Sequence, residues 1–196
     1  MTSYNSQPSR AGCQYSDPVD LIWIAAAEQL GMQVERSPDV YASWDGINRL
    51  RIANQEDFDP DDCMAQMIFH ELCHALVAGK EGMTKEDWGL DNTSARDLLQ
   101  EHATHRVQAA LSAPWGLRRF LAATTQWRPH YDGLPHDPMI DDGDPSIPVA
   151  QAALRRAQEQ PWSSVLTRAL ESTAQVAKIT RPFAPSDSLW ERTDNA

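Results

Sequence analysis

Apolar and polar residues follow two periods along this chain, and each change of period marks an element. Asp17-Pro18-Val19-Asp20 has helix-start chemistry: a capping Asp, Pro at the first helical position and an acid in the first turn. The spacing from Leu21 to Leu30 is helical, and Gly31 is the stop. Met32 to Glu35 reads as a strand. Val40 to Trp44 and Leu50 to Ile52 flank the turn signal Asp45-Gly46 and read as two more, which gives a small sheet. Asp59-Pro60-Asp61-Asp62 repeats the helix-start pattern, and the helix it opens runs to Ala78 with Gly79 as its close. Met64, Met67, Ile68, Phe69, Leu72, Leu76 and Val77 make that helix apolar nearly all round, so it is expected to be central and buried.

Lys80 to Asn92 is a polar loop. Ser94-Ala95-Arg96-Asp97 fits a capping-box start, and the helix it opens runs to about Ala113, because Pro114 discourages continuation. Gly116 to Thr124 reads as another short helix. Thr125 to Pro148, rich in Pro, Asp and Gly, reads as a long loop of the kind that often carries function. Two helices near 147–158 and 161–178 close the pattern. The expected class is α+β, with a small mixed or antiparallel sheet on a bundle of about five or six helices. Residues 16–186 are expected to form one domain of ordinary size, between flexible tails at 1–15 and 187–196.

Composition narrows the function classes. Of 196 residues, 23% are charged and 41% hydrophobic, as in ordinary globular proteins. No apolar run approaches the ~20 residues of a membrane span, and Met1 to Arg10 lacks the apolar stretch of a secretory signal, so a cytoplasmic location without a membrane partner is expected. The net charge of −11, from 17 basic and 28 acidic residues, argues against a nucleic-acid partner. The short basic clusters Arg118-Arg119 and Arg155-Arg156 read as solvated helix faces. Cys13, Cys63 and Cys73 are odd in number and lack CxxC spacing, so reduced thiols are expected.

The chemistry concentrates in His70-Glu71-Leu72-Cys73-His74. Histidines four apart share one helix face, and two imidazoles on consecutive turns can hold one divalent metal. Glu71, beside the first of them, is placed to act as a general base. Burying two His and a Glu on an apolar helix is expensive unless something pairs them, and a metal does so. A third ligand is expected from the helix after Ser94. Glu101 lies 27 residues beyond His74, across a loop long enough for antiparallel packing. Glu101 and His105 share a face, so Glu101 is the favoured ligand with His105 beside it; His102 and His105 stay open as alternatives.

The segment IFHELCHALVAG with a downstream helical Glu101 resembles the zincin metallopeptidases, specifically the small gluzincins. The resemblance covers about residues 32–113. It implies a zincin-like fold with a central HExxH helix, His70, His74 and Glu101 on Zn2+, and Glu71 as the base of a peptidase. It also implies a sheet edge at Leu50 to Asn54 that binds extended peptide or protein substrate. A second resemblance rests on HELCH, Ala78-Gly79, Asp87-Trp88-Gly89, and Glu101 ahead of Gln108-Ala109-Ala110-Leu111. These are similar to the hydroxylase of bacterial elongation factor P, which implies a non-haem Fe2+ oxygenase acting on a protein side chain. Two His and one carboxylate suit either metal. A third reading has the metal only staple helices together, without catalysis.

Thr124 to Asp132 could present a His or Tyr as an oxyanion donor, but Trp127 and Tyr131 are better read as anchors for the loop. Asp141-Asp142-Gly143-Asp144 resembles part of a calcium loop without its closing Glu, and reads as a solvated acidic turn. Cys73 projects about 100° from His74 and is expected in the core. Trp44-Asp45-Gly46 reads as a hairpin turn with a core Trp. Asp87-Trp88 lies in the loop after the motif helix, and nothing in the sequence decides whether it covers the site.

Overall fold

A computed structural model describes residues 15–91, 97–141 and 143–190. Most of the tails expected at 1–15 and 187–196, namely residues 1–14 and 191–196, lies outside these residues, as do Cys13, Asp142 and the Ser94 cap. Among them are six α-helices and a three-stranded sheet, an α+β architecture. No described helix is long and apolar enough to cross a membrane.

Helix α1 (Pro18–Gln29) starts as the sequence predicts: the Asp17 carboxylate accepts the Val19 N–H at 2.8 Å. Strands β1 (Gln33–Ser37), β2 (Ala42–Trp44) and β3 (Arg49–Ala53) follow. Asp45 Oδ1 accepts the N–H groups of Ile47, Asn48 and Arg49 and so closes the β2–β3 turn. Gly46 is required there. Its φ is +75°, and a Cβ would lie 2.9 Å from the Lys85 carbonyl carbon. The strand order is β1-β3-β2, with β3 parallel to β1 and antiparallel to β2. This corrects the expected edge at Leu50 to Asn54. The β1–β3 pairing makes β3 the central strand and leaves β2 at the rim.

Helix α2 (Met64–Gly82) is the buried centre of the fold, as its apolar pattern predicts. Its start is later than Asp59-Pro60 suggested, because the Asp62 carboxylate is held by Tyr41 Oη (2.6 Å) and Gln66 Nε2 (3.0 Å). The Ala65 N–H is met instead by Asp20 of α1 at 3.0 Å. Gly79 breaks the helix at φ +64°, and a further turn continues to Gly82. Arg156 donates to the Leu76 and Val77 carbonyls at this break, so it is no solvated cation.

Helix α3 (Leu98–Ser112) packs on α2, and Pro114 lies in the 3₁₀ turn that ends it. The helix expected over Gly116 to Thr124 does not form. The Leu121, Ala122 and Ala123 carbonyls accept instead from the side chains of Gln108, Gln66 and Arg128. Arg118 likewise turns inward, donating to the carbonyls of Leu134, Pro135 and His136. The long segment beyond holds the short α4 (Arg128–Asp132) and is strapped to α3 by Arg106, which donates to Pro138 O and pairs with Asp144 at 3.2 Å. Helices α5 (Ile147–Ala157) and α6 (Trp162–Thr180) complete the bundle. Trp23 of α1 reaches α6 through its indole N–H to Thr173 Oγ1, at 3.1 Å. Of the expected C-terminal tail, residues 187–190 are described, and Trp190 stacks on Phe120 at 4.1 Å.

Candidate metal centre

His70 and His74 leave α2 on one face and meet Glu101 of α3. Their Nε2 atoms are 2.9 Å apart. Glu101 Oε2 is 3.2 Å from His74 Nε2, and Glu101 Oε1 is 3.5 Å from His70 Nε2. The two imidazoles are buried and the carboxylate nearly so.

Hydrogen bonds fix which ring nitrogens carry lone pairs. Gln108 Nε2 donates to Leu121 O at 2.7 Å, so its Oε1 faces His70 Nδ1, 3.0 Å away, and can only accept. Thr104 Oγ1 spends its proton on Gln100 O, so at 3.2 Å it accepts from His74 Nδ1. Both Nε2 atoms of the neutral rings therefore carry lone pairs, pointed at each other and at a carboxylate. Such an array repels itself unless a cation sits within it. Metal bonds of about 2.0–2.2 Å near tetrahedral angles set donor atoms roughly 3.3 Å apart, and the observed separations bracket that value. Glu101 Oε1 is buried without an aligned hydrogen-bond donor, although His105 Nε2 lies 3.0 Å from it. The donor set fits a divalent metal, and His70, His74 and Glu101 are grouped so that they can hold one ion.

Without a metal, a proton takes its place. Burial alone would lower the His70 pKa, but the hydrogen-bonded Glu101 carboxylate outweighs it and holds the ring up to about 9. Against burial, which would raise it, the neighbouring His74, His105 and His70 hold Glu101 far below the usual carboxylate range. Burial pulls His105 down to about 4, so its ring is neutral at pH 7. Burial also pushes Cys73 well above the ordinary thiol range and Cys63 up to about 12, which leaves both free thiols protonated and inert.

The centre lies at a cleft of about 230 Å³, walled by Tyr41 and Ala42 at the sheet rim and by Thr124, Gln126 and Trp127 opposite. Glu71 lines this cleft. Its Oε2 accepts the Trp88 indole N–H at 2.7 Å, and no described donor is placed on its Oε1. Trp88 lies in a strained turn: Asp87 (φ 46°, ψ 40°) and Trp88 (φ 60°, ψ 11°) are both left-handed. Each such residue costs on the order of 1–2 kcal/mol. Stacking on Trp44 (4.9 Å, 1° between planes) and the Trp44 N–H to Asp87 Oδ1 bond (3.1 Å) hold the turn.

The structure thus brings His70, Glu71, His74 and Glu101 together. His105 neighbours the carboxylate, while His102 turns away and stacks on His130 at 3.8 Å. Tyr131 is an anchor, buried and bonded to Arg118 O, and Trp127 packs against the same small core while also lining the cleft. Asp144 serves Arg106 and the Ser146 N–H. Trp44 is a core residue and Cys73 is fully buried. Thr104 and Gln108, which orient the His74 and His70 rings, had a signal in the sequence. Glu101, Thr104, His105 and Gln108 fall at i, i+3, i+4 and i+7, a polar stripe on a buried helix face. Comparison of the chain with models of protein families, with curated proteins and with solved structures returned no match.

Proposed function

We propose that this protein is a zinc-dependent hydrolase of peptide bonds, with Glu71 as general base. The observation that carries the reading is the convergence of two oriented imidazole lone pairs and Glu101 at a cleft that Glu71 also lines. When bound there, zinc would supply Lewis acidity, polarising a carbonyl and acidifying water to a pKa of about 7. Glu71 takes the proton of the attacking water at Oε1 and returns it to the leaving amine. The rim strand β2, with Tyr41 and Ala42 on the cleft, is the edge that an extended peptide would meet. Three protein ligands beside an open cleft favour this reading over a closed structural staple.

Two His and one carboxylate also suit Fe2+, and that donor set keeps a protein side-chain oxygenase as the second reading. Oxygen separates the two, because hydrolysis proceeds without it. The decisive variant is Glu71→Gln, assayed anaerobically on a quenched-fluorescence peptide mixture with metal content measured alongside. The metal is expected to stay stoichiometric while kcat falls about 10²- to 10⁴-fold. Full activity in the variant would remove Glu71 as the base.

A further inference from the structure

We infer that Trp88 is the positioning residue of the site, holding the Glu71 carboxylate in the rotamer that faces the cleft; this rests on the reading of Glu71 as base. Glu71 follows His70 on a helix, and a Glu without a partner there has several rotamers and the cleft to sample. One described donor limits it, the Trp88 indole N–H at 2.7 Å on Oε2. That contact occupies one oxygen of a carboxylate whose residue lines the cleft, and leaves the other free of described donors, as a base that takes a proton from one water needs.

The surroundings are built to place that N–H. A Trp in the left-handed region is rare, and here the residue before it is left-handed as well. A packing aromatic has no need of that strain, since an ordinary turn would bury the same ring. What the double turn achieves is direction. The indole lies flat on Trp44, and Trp44 is itself fixed by its own N–H to Met83 O at 2.8 Å. Gly82 leaves room beneath, where a Cβ would come within 3.1 Å of the Trp88 carbonyl oxygen. Trp88 cannot slide without breaking the stack, so the position of its N–H is set by the sheet rim and the end of α2 together.

The test uses Trp88→Phe in the zinc-loaded full chain, and it has two readouts. On the quenched peptide mixture, kcat is expected to fall roughly 10- to 100-fold with KM and zinc content unchanged, and Trp88→Phe should add nothing in a Glu71→Gln background. Independently of turnover, the Trp88 Nε1–H resonance in ¹⁵N spectra is expected to shift and to exchange at least tenfold faster in Glu71→Ala. The resonance is identified by its loss in Trp88→Phe or, should that variant not fold, in Trp88→Tyr. Equal losses in both backgrounds, an unchanged kcat, or an indole resonance indifferent to Glu71 would each overturn the inference. A wild-type chain inert on peptides would instead sink the hydrolase reading, and the resonance would still decide whether Trp88 holds Glu71.

Discussion

Stripping zinc from the loaded protein is expected to lower its melting temperature by roughly 8–16 °C, and His74→Ala is expected to abolish that difference. At free metal about 1,000-fold above Kd, binding to the native state alone stabilises by about 4.1 kcal/mol. For a chain of this size each kcal/mol moves Tm by about 2–4 °C. The metal displaces the proton that His70 holds up to about 9, so affinity follows pH. Below that pKa a proton must leave for the metal to enter, and affinity falls up to tenfold for each unit of acidification. Above it, this group no longer matters. The stabilisation by zinc should therefore grow from pH 6 to pH 8. Calorimetry with zinc or with chelator at both values measures it. Equal melting temperatures, or an effect that shrinks as pH rises, would count against a metal at these ligands.

The second large effect is in the core. Trp23→Ala is expected to destabilise the chain by about 3–5 kcal/mol, the usual range for emptying a large aromatic site. Trp23 is fully buried, lies 4.8 Å from Phe69 on α2, and bonds to Thr173 on α6. Its loss opens a cavity where three helices meet. Trp23→Phe keeps much of the ring contact and removes only the indole bond, so a loss of about 1 kcal/mol is expected. Urea unfolding distinguishes the two. If Trp23→Ala shifted the transition no more than Trp23→Phe, the three-helix packing would not be what holds α1.

Much of this architecture was legible in the sequence because local chemistry determined it. Asp17-Pro18 starts a helix through its own carboxylate, which caps the Val19 N–H, and the pair His70 and His74 needs nothing beyond helical spacing to share a face. Glu101 followed from the loop length and from the antiparallel packing it allowed. What was missed depends on distant partners. The parallel pairing of β1 with β3 leaves no local mark, so β3 was taken for an edge. The stretch after Gly116 has helical composition, but side chains from α2, α3 and α4 claim its carbonyls. Arg118 and Arg156 look like surface cations until the carbonyls they meet are known. The left-handed Asp87 and Trp88 run against expectation most of all, since of the three consecutive residues at positive φ only Gly89 (φ 79°) is of a type that suits it.

The bond from Trp23 to Thr173 spans 150 positions, and this bears on the chain while it is being made. His70, His74 and Glu101 have all been added once α3 is complete at Ser112, but Thr173, the α6 partner of Trp23, arrives about 60 residues later. At ribosome speeds of about 5–20 residues per second, that interval is roughly 3–12 s. Throughout it, α2 and α3 can come together, and α1 can pack on α2, while the part of α1 that meets α6 stays uncovered. The half of the molecule that carries the candidate site is thus the early half, and the segment that waits longest for its last partner is the first helix.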